Sequence, residues 1–402
     1  WLKAFNLKRL SESKRSDLRI MLVTNIKALL CVFALRALCS NAKALRSGGL
    51  QAASARQVLP EDVFLTMLVG VDIPDDRELL PISLRYWKAL GVKPSNVIVT
   101  LNGMNKNSSG WTSARQVCIN AGVLTTNMLP WEGSYDNVQQ KQRVGRMMHV
   151  IKEQIKGKDP SQIWIMQSDV DEFPVIPSPL PNTHGAASAE HAEPGRLLWR
   201  LGELARHGFN ALPGVMVDRI ASDGRFVNPV AQENAFSILE QFPIPCNLLM
   251  RFTHNHTAVT KNVGFTADLL PKVLASKGGG HHLRELSGPG SQGRCPPLDK
   301  EGVEVAHMRF TASAVAKNKR KMDIYGSSEP DYLVMHEIMD RGSIDPKLCK
   351  GYDRRALNGV EMTIACCVVE DPVQRGKCNS GYESNNAAWQ AFRAQTPAHI
   401  AP

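Results

Sequence analysis

Three nearly continuous apolar runs constrain the fold of this chain more than any other feature. They are Val63–Val71 (VFLTMLVGV), Asn96–Leu101 (NVIVTL) and Ile163–Gln167 (IWIMQ). A strand with one face in water alternates apolar and polar residues, whereas an unbroken apolar run needs cover on both faces. Such cover is typical of parallel strands between two layers of helices. The three runs therefore predict an α/β domain with a buried, mostly parallel sheet.

The segments between these runs have the pattern of helices. The first helix is predicted at Glu78–Leu90, with Gly91 as its stop, and further helices at Ser113–Ala121 and Val138–Ile155. A short strand is predicted at Val123–Met128. Strand, helix and strand in this order imply a right-handed crossover.

The chain divides by composition into three parts. Residues 1–42 form an N-terminal extension, residues 59–325 a single α/β domain with loop insertions, and residues 326–402 a Cys-containing extension. Four cysteines fall in this last part, at Cys349, Cys366, Cys367 and Cys378. If the protein enters an oxidising compartment, they predict one or two disulfides.

The positive charge of the chain is concentrated at its start. The formal net charge is +10, but nine Lys and Arg residues against two acidic ones fall within residues 1–43. The other 359 residues carry 39 basic and 36 acidic side chains, a net charge of +3. Binding to a nucleic acid requires a clustered basic face. We therefore predict a small anionic ligand and no nucleic acid partner.

The segment Met21–Ala42 resembles a secretory signal or membrane anchor. A short basic lead precedes the apolar run Ala28–Leu38, and small residues follow at Ser40 and Ala42. Arg36 inside the run also fits two other interpretations, an amphipathic helix or sequence upstream of the true start. The signal interpretation predicts the secretory pathway, in the Golgi or ER lumen or outside the cell, and membrane association through this segment.

The stretch directly after the third apolar run carries the chemistry. Asp169, Asp171 and Glu172 place three carboxylates within four residues, in the order D-x-D-E-F. Ligands of open α/β sheets bind beyond the carboxyl ends of the strands. Two carboxylates one residue apart can hold Mg²⁺ or Mn²⁺, which leaves further positions to water and phosphate oxygens. An acidic capping turn is the structural alternative.

At this point the sequence resembles the GT-A-fold glycosyltransferases, especially the family 2-like and family 92-like groups with a D-x-D-E-F motif. The resemblance includes the Leu-rich segment Glu78–Val92, the metal strand Trp164–Phe173 and the late strand Val305–Phe310. It covers Val63 to about Met322. Met308 and Phe310 stand where the family often has Phe and Trp, which leaves the subfamily open.

The resemblance implies a Rossmann-like GT-A fold and a nucleotide-sugar-dependent transferase with Mn²⁺ or Mg²⁺ at the donor diphosphate. Asp171 would be the main metal ligand, Asp169 would share the metal or contact the ribose, and His307 would be a late ligand. Asp72 would lie near the nucleotide base. Candidates for contact with the phosphates are basic residues of the late segment: Arg309, Lys319 and Arg320. The implied partners are a nucleotide sugar and a glycan-type acceptor on a glycan, glycoprotein or glycolipid.

A second group of residues follows a short predicted strand at Val215–Val217. This strand would leave Asp218 and Arg219 at its end. An inverting transferase needs a carboxylate to take a proton from the acceptor hydroxyl. Asp218 is the predicted base and Glu233 the reserve, while a structural Asp218–Arg219 pair is the alternative.

Two other functions compete with the transferase. A haloacid-dehalogenase-like, Mg²⁺-dependent phosphotransferase also has a D-x-D at a strand end, with an aspartyl nucleophile. Its motif normally follows the first strand, whereas several elements precede it here. The other alternative is a non-catalytic lumenal carbohydrate-binding relative.

Overall fold

The computed structural model describes residues 57–133, 139–176, 195–246, 260–276, 303–317, 319 and 338–349. By internal contacts the chain divides into two units, Trp1–Arg56 and Gln57–Pro402. The first unit, with the predicted signal segment, lies outside the described residues. Among those described, no helix is both long and apolar enough to cross a membrane.

The described residues form one mixed sheet with helices on both faces. Its strands are β1 (Val63–Gly70), β2 (Val97–Gly103), β3 (Met128–Glu132), β4 (Trp164–Asp169), β5 (Glu172–Val175), β6 (Ala211–Ile220), β7 (Ile244–Cys246), β8 (Thr260–Thr266) and β9 (Val303–His307). The helices are α1 (Pro74–Ala89), α2 (Ser109–Asn120), α3 (Gln140–Gln154), α4 (Arg196–Arg206), α5 (Ser237–Gln241) and α6 (Leu270–Ala275).

The sheet is mostly parallel, as predicted. Its strand order is β3-β2-β1-β4-β8-β6-β9-β5, and β7 pairs with β6. Strands β1 to β4, β6 and β9 run in one direction, while β5, β7 and β8 run in the other. The predicted α/β class with a mostly parallel, helix-flanked sheet is therefore confirmed.

Strand β1 shows why its sequence is apolar throughout. Val63, Leu65, Met67 and Val69 belong to a core with α1, α2 and α4. Phe64 and Leu68 point the other way, into a core with α3 and α6. Both faces are covered, so both sets of side chains contribute hydrophobic stabilisation.

The sheet must curl because of the short connection between β4 and β5. Only Val170 and Asp171 separate these strands, yet β8, β6 and β9 lie between them in the sheet. Four flat strand spacings measure about 19 Å. Three Cα–Cα steps from Asp169 to Glu172 span at most about 11 Å. The curl gives the sheet a concave side on which residues distant in sequence can meet.

Several predicted element boundaries were wrong, including the start of α2, which lies at Ser109 and not at Ser113. Helix α1 begins at Pro74, four residues before the predicted start, because proline suits the first helical position and Asp75 and Asp76 follow it in the first turn. Strand β3 begins at Met128, where the predicted strand ended. Val123 is instead a buried residue after the turn at Gly122, where its amide bonds the Cys118 carbonyl.

Strand β6 is also longer than predicted. It continues to Ile220, so Asp218 and Arg219 lie within the strand and point to opposite faces. The Arg219 guanidinium binds Glu304 through Nε at 2.9 Å and Nη2 at 2.5 Å. The alternative Asp218–Arg219 pair is therefore wrong.

Candidate active site

The acidic motif lies where β4 ends and β5 begins. Asp169 is the last residue of β4 and is partly exposed, beside a shallow cavity between β1, β4 and α3. Asp171 lies in the turn and is buried. Its backbone carbonyl accepts a hydrogen bond from the Met308 amide at 2.9 Å, which holds the turn against the end of β9.

The last two residues of the motif fix the turn in place. The Glu172 carboxylate accepts the Asp169 amide at 2.8 Å and pairs with the buried ammonium of Lys261. Phe173 is fully buried, with its ring edge-on to Tyr86 at 5.1 Å between centroids. These contacts explain why Glu and Phe follow the two aspartates, and Lys261 is a partner that the sequence analysis missed.

His307 and Asp218 meet at the same place as Asp171. Asp218 of β6 and Glu172 of β5 are both in register with His307 of β9. The Asp218 Oδ1 lies 3.0 Å from His307 Nδ1, and Asp171 Oδ2 lies 3.6 Å from His307 Nε2. All three side chains are buried. The curled sheet thus brings together three residues that were predicted from separate segments.

Charged residues at the start of α1 and after β9 complete the cluster. Lys317 Nζ lies 2.8 Å from Asp171 Oδ2 and 2.9 Å from Asp76 Oδ1. The other Asp76 oxygen accepts the Gly70 amide at 2.7 Å. Asp75 accepts hydrogen bonds from Thr311 and Ser313. Asp75, Asp76 and Lys317 were not predicted as site residues.

Burial and the neighbouring charges shift the pKa values in opposite directions. Burial raises the pKa of Asp75 to about 6, although Lys317 opposes the shift. Burial likewise raises the pKa of Asp76. For Asp171 burial acts in the same sense, but the Lys317 ammonium and the His307 ring hold its pKa well below the ordinary value. Asp171 is therefore the carboxylate of this cluster that stays ionised most readily.

The remaining predicted residues differ in how far they are exposed. Asp72 is partly buried, and its Oδ2 accepts the Met104 amide at 2.7 Å. Arg309 follows β9 and is half-buried, while Lys319 is exposed. Glu233 is exposed on the loop between β6 and α5. Arg320 lies outside the described residues.

The donor set has the chemistry of a divalent-cation site. A carboxylate and an imidazole face each other, and a second carboxylate holds the other ring nitrogen, as in many metal sites. No group of three or more His, Cys, Asp or Glu arranged as a metal site occurs among the described residues. Asp171 and His307 thus fit a cation that takes two protein ligands and completes its coordination with water and phosphate oxygens.

The chain matches solved structures, but it matches no family model and no curated protein. One similar solved structure is a mannosyltransferase from Pyrobaculum calidifontis in complex with GDP-mannose and Mn²⁺, with 12% identity and a TM-score of 0.32. That alignment covers 92% of this chain and 86% of that chain.

Another similar structure is 4-diphosphocytidyl-2C-methyl-D-erythritol synthase, also at 12% identity, with a TM-score of 0.24. This alignment covers 53% of this chain and 81% of the synthase chain. Both scores are low, and we therefore infer the function from the sequence and from the site.

Proposed function

We propose that this protein is a nucleotide-sugar-dependent glycosyltransferase of GT-A type. It would use Mn²⁺ or Mg²⁺ and transfer a sugar from a nucleoside diphosphate to a hydroxyl of a glycan, glycoprotein or glycolipid. The observation that carries the proposal is the convergence of Asp171, His307 and Asp218 at the end of β4. Their position matches the ligand-binding edge of an open α/β sheet.

Asp171 and His307 would hold the cation in this proposal. When bound, such a cation neutralises charge on a departing diphosphate. Asp218 contacts the far nitrogen of the imidazole, and this supports its role as a positioning residue that fixes the His307 ring. Glu172 and Lys261 keep the backbone of the acidic turn in place.

The donor would lie along the carboxyl ends of β1, β2 and β4. Asp169 and Asp72, both partly exposed at this edge, are proposed to contact the nucleoside. Arg309 and Lys319 follow β9 and are proposed to meet the phosphates, because guanidinium and ammonium groups bind phosphate oxygens well.

The acceptor base stays a prediction. Asp218 is buried behind His307, so its contact with an acceptor hydroxyl would require the ring to move. Glu233 is exposed and free of that constraint. We therefore propose Glu233 as the base candidate to test first.

The cellular location is proposed to be the secretory pathway. A disulfide joins Cys246 of β7 to Cys349 in the C-terminal segment. Disulfides persist mainly in oxidising compartments, and this supports the signal interpretation of Met21–Ala42. Membrane association through that segment belongs to the same proposal.

The proposal is tested by thermal unfolding with Mn²⁺ and a panel of nucleoside diphosphates. A ligand at a hundred times its dissociation constant stabilises a protein by about 2.7 kcal/mol, which raises the Tm by a few degrees. We expect one nucleotide to give this shift only with Mn²⁺ present, and Asp171→Asn to remove it.

Asp268→Asn serves as the control, since Asp268 lies at the end of β8 and its carboxylate accepts the Thr266 hydroxyl there. If no nucleotide stabilises a folded sample, the transferase proposal fails. Stabilisation by a phosphate analogue such as beryllofluoride with Mg²⁺ would then favour the phosphotransferase.

A further inference from the structure

Lys317 follows β9 and contacts Asp171 of the acidic motif, although the sequence analysis selected Arg309 and Lys319 from this segment. Its ammonium bridges Asp171 and Asp76 at 2.8 and 2.9 Å, with Asp75 Oδ2 at 3.7 Å. Only 11% of the Lys317 side chain is exposed. An exposed lysine would gain little from such contacts, whereas a buried one is held by them.

Among the described residues, the carboxylates that contact Lys317 outnumber its one ammonium. In this part of the chain, three buried carboxylates, those of Asp75, Asp76 and Asp171, have oxygens 2.8 to 3.7 Å from the Lys317 ammonium. The Oδ2 atom of Asp75 is buried and accepts no hydrogen bond. Burial of unpaired negative charge is unfavourable. A further cation at the Asp171 end would therefore relieve the imbalance.

The same Asp171 oxygen faces two different partners. Oδ2 receives the Lys317 ammonium at 2.8 Å and lies 3.6 Å from His307 Nε2. A divalent cation between Asp171 and His307 would lie beside this oxygen, where the positive charge of the ammonium would repel it. The ammonium and the divalent cation thus compete for one carboxylate.

We propose that Lys317 is an internal counter-cation, which neutralises Asp171 in the ligand-free protein and is displaced from it by the divalent cation. The choice of a divalent cation rests on the proposed function. Displacement leaves the ammonium its contact with Asp76, so the lysine does not become an unpaired buried charge. Lys317 therefore weakens the binding of the cation without nucleotide, and it stabilises the ligand-free protein by neutralising Asp171.

The test compares Mn²⁺ affinity, without nucleotide, between the full chain and Lys317→Met. The free Mn²⁺ is followed by electron paramagnetic resonance. Methionine keeps the unbranched stem and removes the charge, and we expect at least tenfold tighter binding. Lys88→Met is the matched control, because Lys88 is an exposed lysine in the last turn of α1 with no role in the proposed site, and its affinity should equal the wild type.

Thermal stability gives a second measurement of the same competition. Without Lys317 the three carboxylates lack their shared ammonium, so we expect a lower Tm in EDTA. Mn²⁺ should raise the Tm of Lys317→Met by more than it raises that of the wild type. If this variant does not fold in EDTA, Lys317→Gln takes its place, since its amide still donates a hydrogen bond without carrying a charge.

Mn²⁺ affinity that is unchanged or weaker in the neutral variants overturns the counter-cation role. The nucleotide panel separates this result from the proposed function. If a nucleoside diphosphate stabilises the wild type and the neutral variants gain no Mn²⁺ affinity, only the inference about Lys317 fails. If the variants gain affinity and no nucleotide binds, the cation site stands and the transferase proposal fails.

Discussion

His307 takes its orientation from Asp218, whose carboxylate lies 3.0 Å from Nδ1. An aspartate in this position favours the tautomer with a proton on Nδ1, which leaves Nε2 free to bind a cation. Asp218→Asn should therefore lower the Mn²⁺ affinity by about 10- to 100-fold, measured by titration with Mn²⁺. Asp223→Asn, an exposed aspartate just after the same strand, is the control. Equal effects of the two substitutions would contradict the positioning role.

Asp75 gives the site a pH dependence of known sign. Its pKa rises from 3.8 to about 6 in the folded protein, so protonation favours the folded state. This stabilisation is fully present below pH 3.8 and is lost as the pH rises through 6. By linkage, a shift of this size corresponds to roughly 3 kcal/mol.

Asp75→Asn removes this titration. Urea unfolding of both proteins at pH 4.5 and 7 should show the wild type gaining stability relative to the variant as the pH falls. A stability difference that is constant between these pH values would contradict the assignment. Subtracting the stability of Asp75→Asn from that of the wild type at each pH cancels the contributions of the carboxylates that the two proteins share.

At the scale of elements, the strands buried on both faces were predictable because such burial requires a continuous run of apolar residues in the sequence. Strands β1, β2 and β4 appear as apolar runs in the sequence, and α1 ends at Ala89, two residues before the predicted stop at Gly91. The length of β6 was not predictable, because its second half carries Asp218 and Arg219, whose partners are in β9. Polar residues inside a strand make sense only once those partners are known.

Gly224 and Gly342 allow a matched comparison of how tightly the C-terminal segment packs against the sheet domain. Gly224 and Gly342 both have a positive φ, at 74° and 67°. A Cβ on Gly224 would lie 1.9 Å from the Ile344 carbonyl oxygen, whereas one on Gly342 would meet nothing within 4 Å. The Gly224 carbonyl also accepts the Ile344 amide at 2.8 Å.

We expect Gly342→Ala to cost about 1–2 kcal/mol of folding free energy, the strain of a left-handed residue. Gly224→Ala should cost about 1–3 kcal/mol more, because it also displaces the segment around Ile344. Chemical unfolding of the two variants measures the difference. Equal losses would show that the close contact at Ile344 is relieved without cost.

At the scale of the whole molecule, the Cys246–Cys349 disulfide joins residues 103 positions apart. Closing a loop of this length restricts the unfolded chain, with an expected stabilisation of about 2–4 kcal/mol. Reductant should lower the Tm of the wild type and leave that of Cys246→Ser/Cys349→Ser unchanged. If reductant lowers the Tm of both proteins equally, the effect comes from other cysteines. The crowding of cysteines after residue 348 predicted a disulfide without identifying its partner.

The candidate site was predictable only in part. The sequence identified Asp171 and His307 because they belong to motifs with a known pattern. Lys317, Asp75 and Asp76 belong to no such motif, so the sequence analysis did not select them. Their roles depend on contacts over 146 and 241 residues, which no local pattern records.

Those long separations also have a consequence for the synthesis of the protein. A nascent chain that has emerged only as far as β5 already contains the complete D-x-D-E-F motif, but neither His307 nor Lys317 has yet been translated. Its aspartates then lack both of these partners. If Asp171 and His307 hold a cation as proposed, the site is completed only late in translation, and an N-terminal fragment that ends before β9 lacks it.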